Sequence, residues 1–452
     1  MLHRYIQGGY YIVMDVNSGA IHLMDKLGYD MAGMLSAPMP EKCPPALLAS
    51  CAEEFSEQEI TETYAELYAL YQAGELFSTD DYEKYQSLTA LSPVKAMCLH
   101  IAHDCNMRCE YCFASTGDYQ GGRKLMGAEV GKKAIDYLLH HSQGRRNLEL
   151  DFFGGEPLMN FEVVREIVQY ARSKEQEFNK VFRFTITTNG ILLTDDKIDF
   201  INREMSNVVL SLDGRPAVND RVRKRVDGSS CYDAIVPKFQ KMVSARGEKP
   251  YYVRGTFTKY NLDFVADVLY LSELGFDQIS VEPVVAEDNM PYAITEKDLP
   301  AIYAEYDKLA EEMIRREKGE KNWFNFFHFM IDLDQGPCAI KRLRGCGCGN
   351  EYVAVTPDGD VYPCHQFVGH EEWKMGSVFD LSIDTAMKER FAKSTVYGKD
   401  DCRNCWAKFY CSGGCNANGM IYNGDILKPH KISCETEKKR IECALYIKAA
   451  TL

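Results

Sequence analysis

The sequence predicts an α/β protein built on a partial (β/α)6 barrel, with a small winged-helix-like unit before it and a cysteine-rich domain after it. Three observations carry this. Between residues 94 and 317, six runs with strand character alternate with stretches of helical period. The loops after the first four of those runs are polar and contain cysteine or glycine. Of the 17 cysteines, three stand in the first of these loops and nine fall between Cys338 and Cys434.

Residues 1–90 make the first unit. Tyr10 to Val16 is β-branched and aromatic, Asn17-Ser18-Gly19 is a turn signal, and Ala20 to Met24 is apolar again, which predicts a hairpin. Helical pattern follows from Asp25 to Leu35. Ser56-x-x-Glu59 reads as a capping box opening a helix with Ile60, Tyr64, Leu67, Tyr68 and Tyr71 on one face, closed by Gly74. Strands followed by helices in so short a span suggest a winged-helix-like module. Residues 1–80 carry three basic side chains (Arg4, Lys26, Lys42) against twelve acidic ones, a net charge of −9. That is either a solvated acidic surface or a docking face for a peptide of basic character, which the hairpin edge could accept by strand addition.

Residues 91–320 make the barrel. Strands are predicted at Lys95–Ala102, Asn147–Phe153, Val181–Thr188, Asn207–Leu212, Pro250–Phe257 and Gln278–Val285. Helices are predicted at Ala128–His141, Phe161–Phe178, Asp195–Asn202, Asp233–Ala245, Leu262–Leu274 and Leu299–Lys318. This alternation implies a parallel sheet with right-handed crossovers, and six strands are too few to close an eight-stranded barrel. In such folds the active site sits at the C-terminal ends of the strands. Residues 321–452 make the last region, opening on the aromatic run Trp323 to Met330, expected as a buried bridging helix or as a channel wall.

Composition sets the bounds. With 452 residues, 46% hydrophobic and 26% charged, the chain has the make-up of a globular protein with two or three domains. It has no run of about 20 apolar residues for a membrane span. Met1-Leu-His-Arg-Tyr5 lacks a signal-peptide core, so a cytoplasmic location is expected. There, clustered cysteines are metal ligands more readily than disulfides. Cys43, Cys51, Cys98, Cys231 and Cys443 are scattered and expected to be structural. The net charge of −14 argues against a nucleic-acid partner, since phosphate binding needs a basic face.

The chemistry concentrates in His103-Asp-Cys-Asn-Met-Arg-Cys-Glu-Tyr-Cys-Phe113. Cys105, Cys109 and Cys112 stand three and then two residues apart, in a loop that can wrap three thiolates around one inorganic core. Iron–sulfur clusters take such ligands. Three thiolates leave one iron of a cubane without a protein ligand. A zinc ion with His103 as its fourth ligand is the alternative. The pattern Cys-x3-Cys-x-aromatic-Cys, with Tyr111 as the aromatic, resembles the signature of radical S-adenosylmethionine (SAM) enzymes. The resemblance implies a [4Fe–4S] cluster whose open iron chelates SAM, one-electron cleavage of SAM, and a 5′-deoxyadenosyl radical that abstracts hydrogen from substrate.

The next loops match the same family. Gly154-Gly155-Glu156-Pro157 resembles its Gly-Gly-Glu-Pro loop, whose glycines allow backbone approach to the SAM amino group. Thr188 and Asn189, with Ser211 and Asp213, match positions lining the ribose and methionine moiety. Arg223 and Arg254 are candidates for a carboxylate contact, and Tyr111 and Phe113 for flanking the adenine.

The second cysteine group resembles the SPASM domain of peptide-modifying radical SAM enzymes. By that resemblance Cys402, Cys405, Cys411 and Cys434 hold a distal auxiliary [4Fe–4S] cluster, and Cys346, Cys364 and Cys415 a proximal one, with Cys338 or Cys348 as its possible fourth ligand. Where relatives show Cys-Gly-Ala-Gly, this chain has Cys346-Gly-Cys-Gly349. Taken alone, these cysteine knuckles also suit zinc. An open iron on the proximal cluster would bind a substrate thiol and favour its thiolate.

The N-terminal unit resembles the PqqD-like domain that recognises leader peptides. Over its whole length the chain is most similar to maturases of SCIFF ("six cysteines in forty-five residues") peptides. That implies three [4Fe–4S] clusters, SAM, a Cys-rich precursor peptide, and an external one-electron reductant of flavodoxin or ferredoxin type. The implied reaction is a thioether between a Cys sulfur and the α-carbon of an acceptor such as Thr. Formylglycine formation by a sulfatase maturase is the rival chemistry, and a multi-cluster electron carrier or peptide chaperone is the rival without chemistry.

Overall fold

The chain opens on a small sheet. β1 (Leu2–Gln7), β2 (Tyr10–Asp15) and β3 (Ile21–Met24) form an antiparallel sheet in that order. The hairpin β2–β3 is the expected one. β1 was not foreseen, because His3, Arg4 and Gln7 hide its period. Three helices cover one face, Lys26–Met34, Pro45–Cys51 and Glu57–Gln72. Both hydrogen bonds of the Ser56–Glu59 capping box are made, and Ile60, Tyr64 and Leu67 are buried below it. The structure is a computed structural model and describes residues 1–89, 91–333 and 339–452. Cys338 therefore lies outside the described residues.

The barrel starts at β4 (Ala96–His103), in which every residue is buried, as expected of a strand covered on both faces. The loop after it carries the short β5 (Met107–Cys109) and β6 (Lys124–Leu125), the latter pairing back on β4. β7 (Asn147–Gly154), β8 (Val181–Thr188) and β9 (Met205–Ser211) follow. Next comes β10 (Arg223–Arg225), which pairs with β5 outside the main sheet, and then β11 (Tyr251–Phe257) and β12 (Gln278–Pro283). The six long strands lie parallel and side by side in chain order, as a right-handed β/α succession builds them. Helices cover the outer face. Phe161, Val164, Ile167, Val168 and Ala171 bury one stripe of Phe161–Phe178, which ends at Asn179 in the left-handed conformation. A Cβ on Gly131 would stand 2.2 Å from Ile167 Cδ1, so the helices Ala128–His141 and Phe161–Phe178 cross closely only because that residue is glycine.

Two features depart from expectation. The aromatic run is not a helix: β13 (Asn325–Phe326) pairs in parallel with β12, followed by a short 3-10 turn, Phe327–Phe329. Trp323 is 44% and Phe327 50% exposed while Phe324 and Phe326 are buried, and this alternation is a strand's period. The other departure is at the far edge, where β14 (Tyr352–Val355) joins β4 in parallel and β15 (Asp360–Tyr362) and β16 (Gly376–Ser377) follow antiparallel. The cysteine-rich region thus continues the barrel sheet.

The last helix, Lys431–Thr451, packs along Leu299–Glu317 and returns to the N-terminus. Tyr5 OH donates to Glu442 O at 2.7 Å, and His3 stacks on Trp406 at 3.5 Å, beside Cys405. No described helix is long and apolar enough to cross a membrane.

Candidate active site and auxiliary cysteine sets

Cys105, Cys109 and Cys112 line a cavity of about 550 Å³ at the C-terminal ends of the parallel strands. Each is fixed by its own device. Cys105 Sγ accepts the Met107 N–H at 3.4 Å and faces Asn189 Nδ2 at 3.7 Å. Cys109 is pinned by the pairing of β5 with β10, opposite Arg223. The Cys112 N–H donates to Cys109 O at 3.2 Å. Burial pushes the Cys105 and Cys109 thiols up to about 12, with Arg223 opposing it at Cys109.

The Gly-Gly-Glu-Pro loop is pressed against this cysteine loop. Gly155 N–H donates to Ala102 O at 2.7 Å and Glu156 N–H to Asp104 O at 2.9 Å. A Cβ on Gly155 would stand 2.1 Å from Asp104 O, and one on Gly154 2.3 Å from Ala102 O. The close approach these glycines permit is to the backbone of the cysteine loop, and both also line the cavity. Glu156 buckles two loops together: its carboxylate accepts from Thr188 Oγ1 at 2.7 Å, Asn189 N–H at 2.8 Å and Leu158 N–H at 3.0 Å. Burial raises it above the usual carboxylate range against those three donors. Asn189 then donates through Nδ2 to Asn106 Oδ1 at 2.8 Å.

Beside the cysteines lies a triad in which Asp213 and Arg223 are buried and Tyr111 is half-buried. Tyr111 OH donates to Asp213 Oδ2 at 2.7 Å and accepts from Arg223 Nη1 at 2.8 Å, which stands 3.7 Å from Asp213 Oδ1. Asp213 Oδ1 also accepts the Thr256 N–H at 3.0 Å. Asp213 is wholly buried and, unlike the other residues expected around SAM, does not line the cavity. Ser211 and Arg254 do line it. Arg254 arrives already paired, with Glu282 Oε2 at 2.6 Å. Burial resists charge on Glu282, yet Arg254, His328 and Arg440 hold its carboxyl down at about 2. Phe113, 55% exposed, is stacked on Phe153 at 6.4 Å and tilted toward His365 at 5.4 Å. His103 Nε2 shares a 3.0 Å hydrogen bond with His100 Nδ1.

Several lining residues went unnoticed in the sequence. Glu282 ends the sixth barrel strand, and the strand-end rule that singled out the first four loops would have found it. His365, Gln366 and Tyr422 come from the cysteine-rich region and carry no local signal. Tyr422 OH donates to Val285 O at 2.9 Å, tying that region to the loop after β12.

The donor set fits an iron–sulfur cluster with an added ligand. Three thiols face a shared space, bare glycine backbone walls one side, and Arg223 Nε is a buried donor with no partner at the wall.

The other cysteines gather in two sets. Cys348 and Cys364 are close neighbours: the interaction with Cys348 lowers the Cys364 thiol, and burial raises that of Cys348. Cys346 and Cys415 are electrostatic neighbours of both. Cys348 thus stands with the expected Cys346, Cys364 and Cys415. Cys402, Cys405, Cys411 and Cys434 form the second set, where burial pushes Cys434 up to about 12 and Cys411 further.

Two family models match the chain. A 4Fe-4S single cluster domain covers residues 95–235, and the SPASM iron-sulfur cluster-binding domain covers residues 346–406. Both matched segments are iron–sulfur cluster-binding domains, and the chain is similar to radical SAM/SPASM-domain proteins. The two matched models bind iron–sulfur clusters. Curated relatives include the cysteine-type anaerobic sulfatase-maturating enzyme of Clostridium perfringens, 24% identical over 72% of this chain and 89% of that protein. The PqqA peptide cyclase of Gluconobacter oxydans is 23% identical over 75% and 90%. Among solved structures, native anSMEcpe with bound AdoMet and Kp18Cys peptide aligns with TM-score 0.65 and 19% identity over 79% of this chain and 99% of that one. SuiB of Streptococcus suis bound to S-adenosylmethionine aligns with TM-score 0.54 and 16% identity over 96% and 98%. These likenesses establish the radical SAM/SPASM fold.

Proposed function

We propose that this protein is a radical SAM peptide maturase that links a Cys sulfur to the α-carbon of an acceptor residue, such as Thr, in a Cys-rich precursor peptide of SCIFF type. One observation carries the reading. His365 and Gln366, directly after Cys364, line the same cavity as Cys105, Cys109 and Cys112, so a substrate there touches both cysteine regions. When bound, the first cluster and SAM supply a hydrogen-abstracting radical. Tyr111, Asp213 and Arg223 brace the cysteine loop from behind, and Glu156 locks the second and third strand-end loops together. Arg254 and Glu282 offer the peptide a paired, fixed polar floor.

The domain roles follow. Residues 1–90 hold the leader peptide, aided by acidic charge and by β3, which pairs on one side only and exposes Leu23. Residues 91–320 perform SAM chemistry. Residues 321–452 hold two auxiliary clusters that take the departing electron, with Cys346, Cys364 and Cys415 on the proximal one and Cys348 as its fourth candidate. An external one-electron reductant of flavodoxin or ferredoxin type completes the cycle. Relatives named for peptide and sulfatase maturation support a peptide substrate.

The sulfatase-maturase relatives keep formylglycine formation as a second reading. Reduced, cluster-loaded protein incubated with SAM and a Cys-rich precursor separates the two by mass. A thioether removes two hydrogens and protects one thiol from alkylation. Formylglycine from Cys loses the sulfur. Recovery of unchanged peptide from every precursor encoded beside the protein sinks the thioether reading.

A further inference from the structure

Lys399 is only 1% exposed, in the middle of the cysteine-rich region. Its backbone carbonyl accepts the Cys402 N–H and the Arg403 N–H, both at 3.0 Å, where the helix Asp400–Arg403 begins. Its ammonium reaches the other way, donating to Gly413 O at 2.7 Å and to Asn416 Oδ1 at 2.9 Å. Asn416 is held in turn by Ser394 Oγ, which donates to the same oxygen at 2.8 Å. One residue therefore ties the segment of Cys402 and Cys405 to the turn that carries Cys411 and Cys415. Those cysteines belong to both auxiliary sets.

The ties are all to neutral oxygens. Lys408, also buried nearby, has a carboxylate partner in Asp80 at 2.6 Å. Lys399 has none among the described residues, and the thiols of Cys402, Cys411, Cys415, Cys434 and Cys346 bear on it electrostatically. A buried ammonium is costly unless an anion accompanies it. A cubane on four thiolates is anionic and becomes more so on reduction, and its potential depends on net charge, hydrogen bonding and solvent exposure.

We propose that Lys399 is a positioning residue that serves as the internal counter-charge of the auxiliary clusters and raises their reduction potentials. The proposal rests on the reading of Cys402, Cys405, Cys411, Cys415 and Cys434 as cluster ligands. The nearby cation favours the reduced, more negative cluster, while the backbone tie at Cys402 keeps the two ligand segments at fixed separation.

The test is a potentiometric titration, followed by electron paramagnetic resonance, of the loaded full-length protein and its Lys399→Met and Lys399→Arg variants, with iron and sulfide counts. The SAM-binding cluster is recognised by the change in its signal when SAM is added. In Lys399→Met, iron stays at the wild-type count and at least one auxiliary midpoint moves to more negative potential. In Lys399→Arg the auxiliary midpoints return to wild type, and the SAM-binding cluster is unmoved in both variants. Loss of auxiliary iron in Lys399→Met alone, with Lys399→Arg loading normally, also supports a charge requirement. Unchanged auxiliary midpoints in loaded Lys399→Met overturn the proposal, as do equal shifts in both variants or loss of auxiliary iron in both. A wild-type protein that loads only about four irons, where three cubanes need about twelve, removes the ligand reading itself and the proposal with it.

Discussion

The thiols of the Cys105–Cys112 loop and those of the Cys402–Cys434 set have different surroundings. The first three look onto a cavity walled by glycine backbone, a spare guanidinium donor and polar loop ends. None of the second four lines that cavity, and Cys402, Cys405 and Cys411 sit among Trp406, Ala407, Phe409, Tyr410, Ile441 and Leu445. One region is shaped to leave room beside its metal group, the other to enclose it. The proximal set stands between these extremes, since Cys364 is buried while its next two residues reach the cavity. Counting thiols does not separate an open site from a closed one. The space and the free donors beside the thiols do.

Single cysteine replacements test that difference most strongly. Cys105→Ala is expected to take 5′-deoxyadenosine production to background and to lose about four irons. Cys411→Ala is expected to lose a similar amount of iron yet keep cleaving SAM without forming the crosslink. Chromatography of 5′-deoxyadenosine beside peptide mass spectrometry reads both outcomes. Equal loss of SAM cleavage in the two variants would erase the distinction between the regions.

Much of the first region was legible in the sequence because its signals are local. The helices Ala128–His141 and Phe161–Phe178 and the strand Val181–Thr188 begin and end where their periodicity says. The strand-end loops of Cys105, Gly154 and Asn189 converge on one cavity because parallel strands in chain order bring them there. The join between the regions was hidden. β14 pairs with β4 across more than 250 residues of chain, and Tyr352 to Val355 bears no mark of its partner. Tyr111, Asp213 and Arg223 meet for the same long-range reason, so Asp213 was expected at SAM while it holds the wall behind the cavity. The run from Trp323 to Met330 misled because its aromatics suit a helix or a strand, and β12 offered an open edge.

A smaller effect probes how tightly the open site is assembled. Gly155→Ala would place a Cβ 2.1 Å from Asp104 O and 3.2 Å from Cys105 Cβ, both in the cysteine loop. Overpacking of this kind costs about 1–3 kcal/mol, and here the atoms displaced carry the ligands. The expected result is a lowered melting temperature together with poor loading of the SAM-binding cluster. Gly121→Ala is the control, since its Cβ would meet nothing nearer than 3.9 Å, and its effect should stay within about 0.5 kcal/mol. Normal loading of Gly155→Ala would mean the cysteine loop does not depend on the close contact with β7's end.

The smallest expected effect lies at the join. Asp151 on β7 pairs in register with Cys98 on β4, the strand that β14 joins. Burial, reinforced by Glu149, raises the Asp151 carboxyl to about 6 against a hydrogen bond from Thr185. A raised carboxyl favours folding while it is protonated, and that contribution is lost as pH rises from the ordinary value of about 4 through about 6. The stability of wild type relative to Asp151→Asn should therefore fall by on the order of 2–3 kcal/mol across that window and stay level above it. Denaturant titrations of cluster-free protein at stepped pH measure this. A difference that grows with pH, or stays flat across the window, would show that the carboxylate is accommodated without cost. A fall of that size would place a pH-sensitive weak point between the open and closed regions, where neither cysteine set can compensate for it.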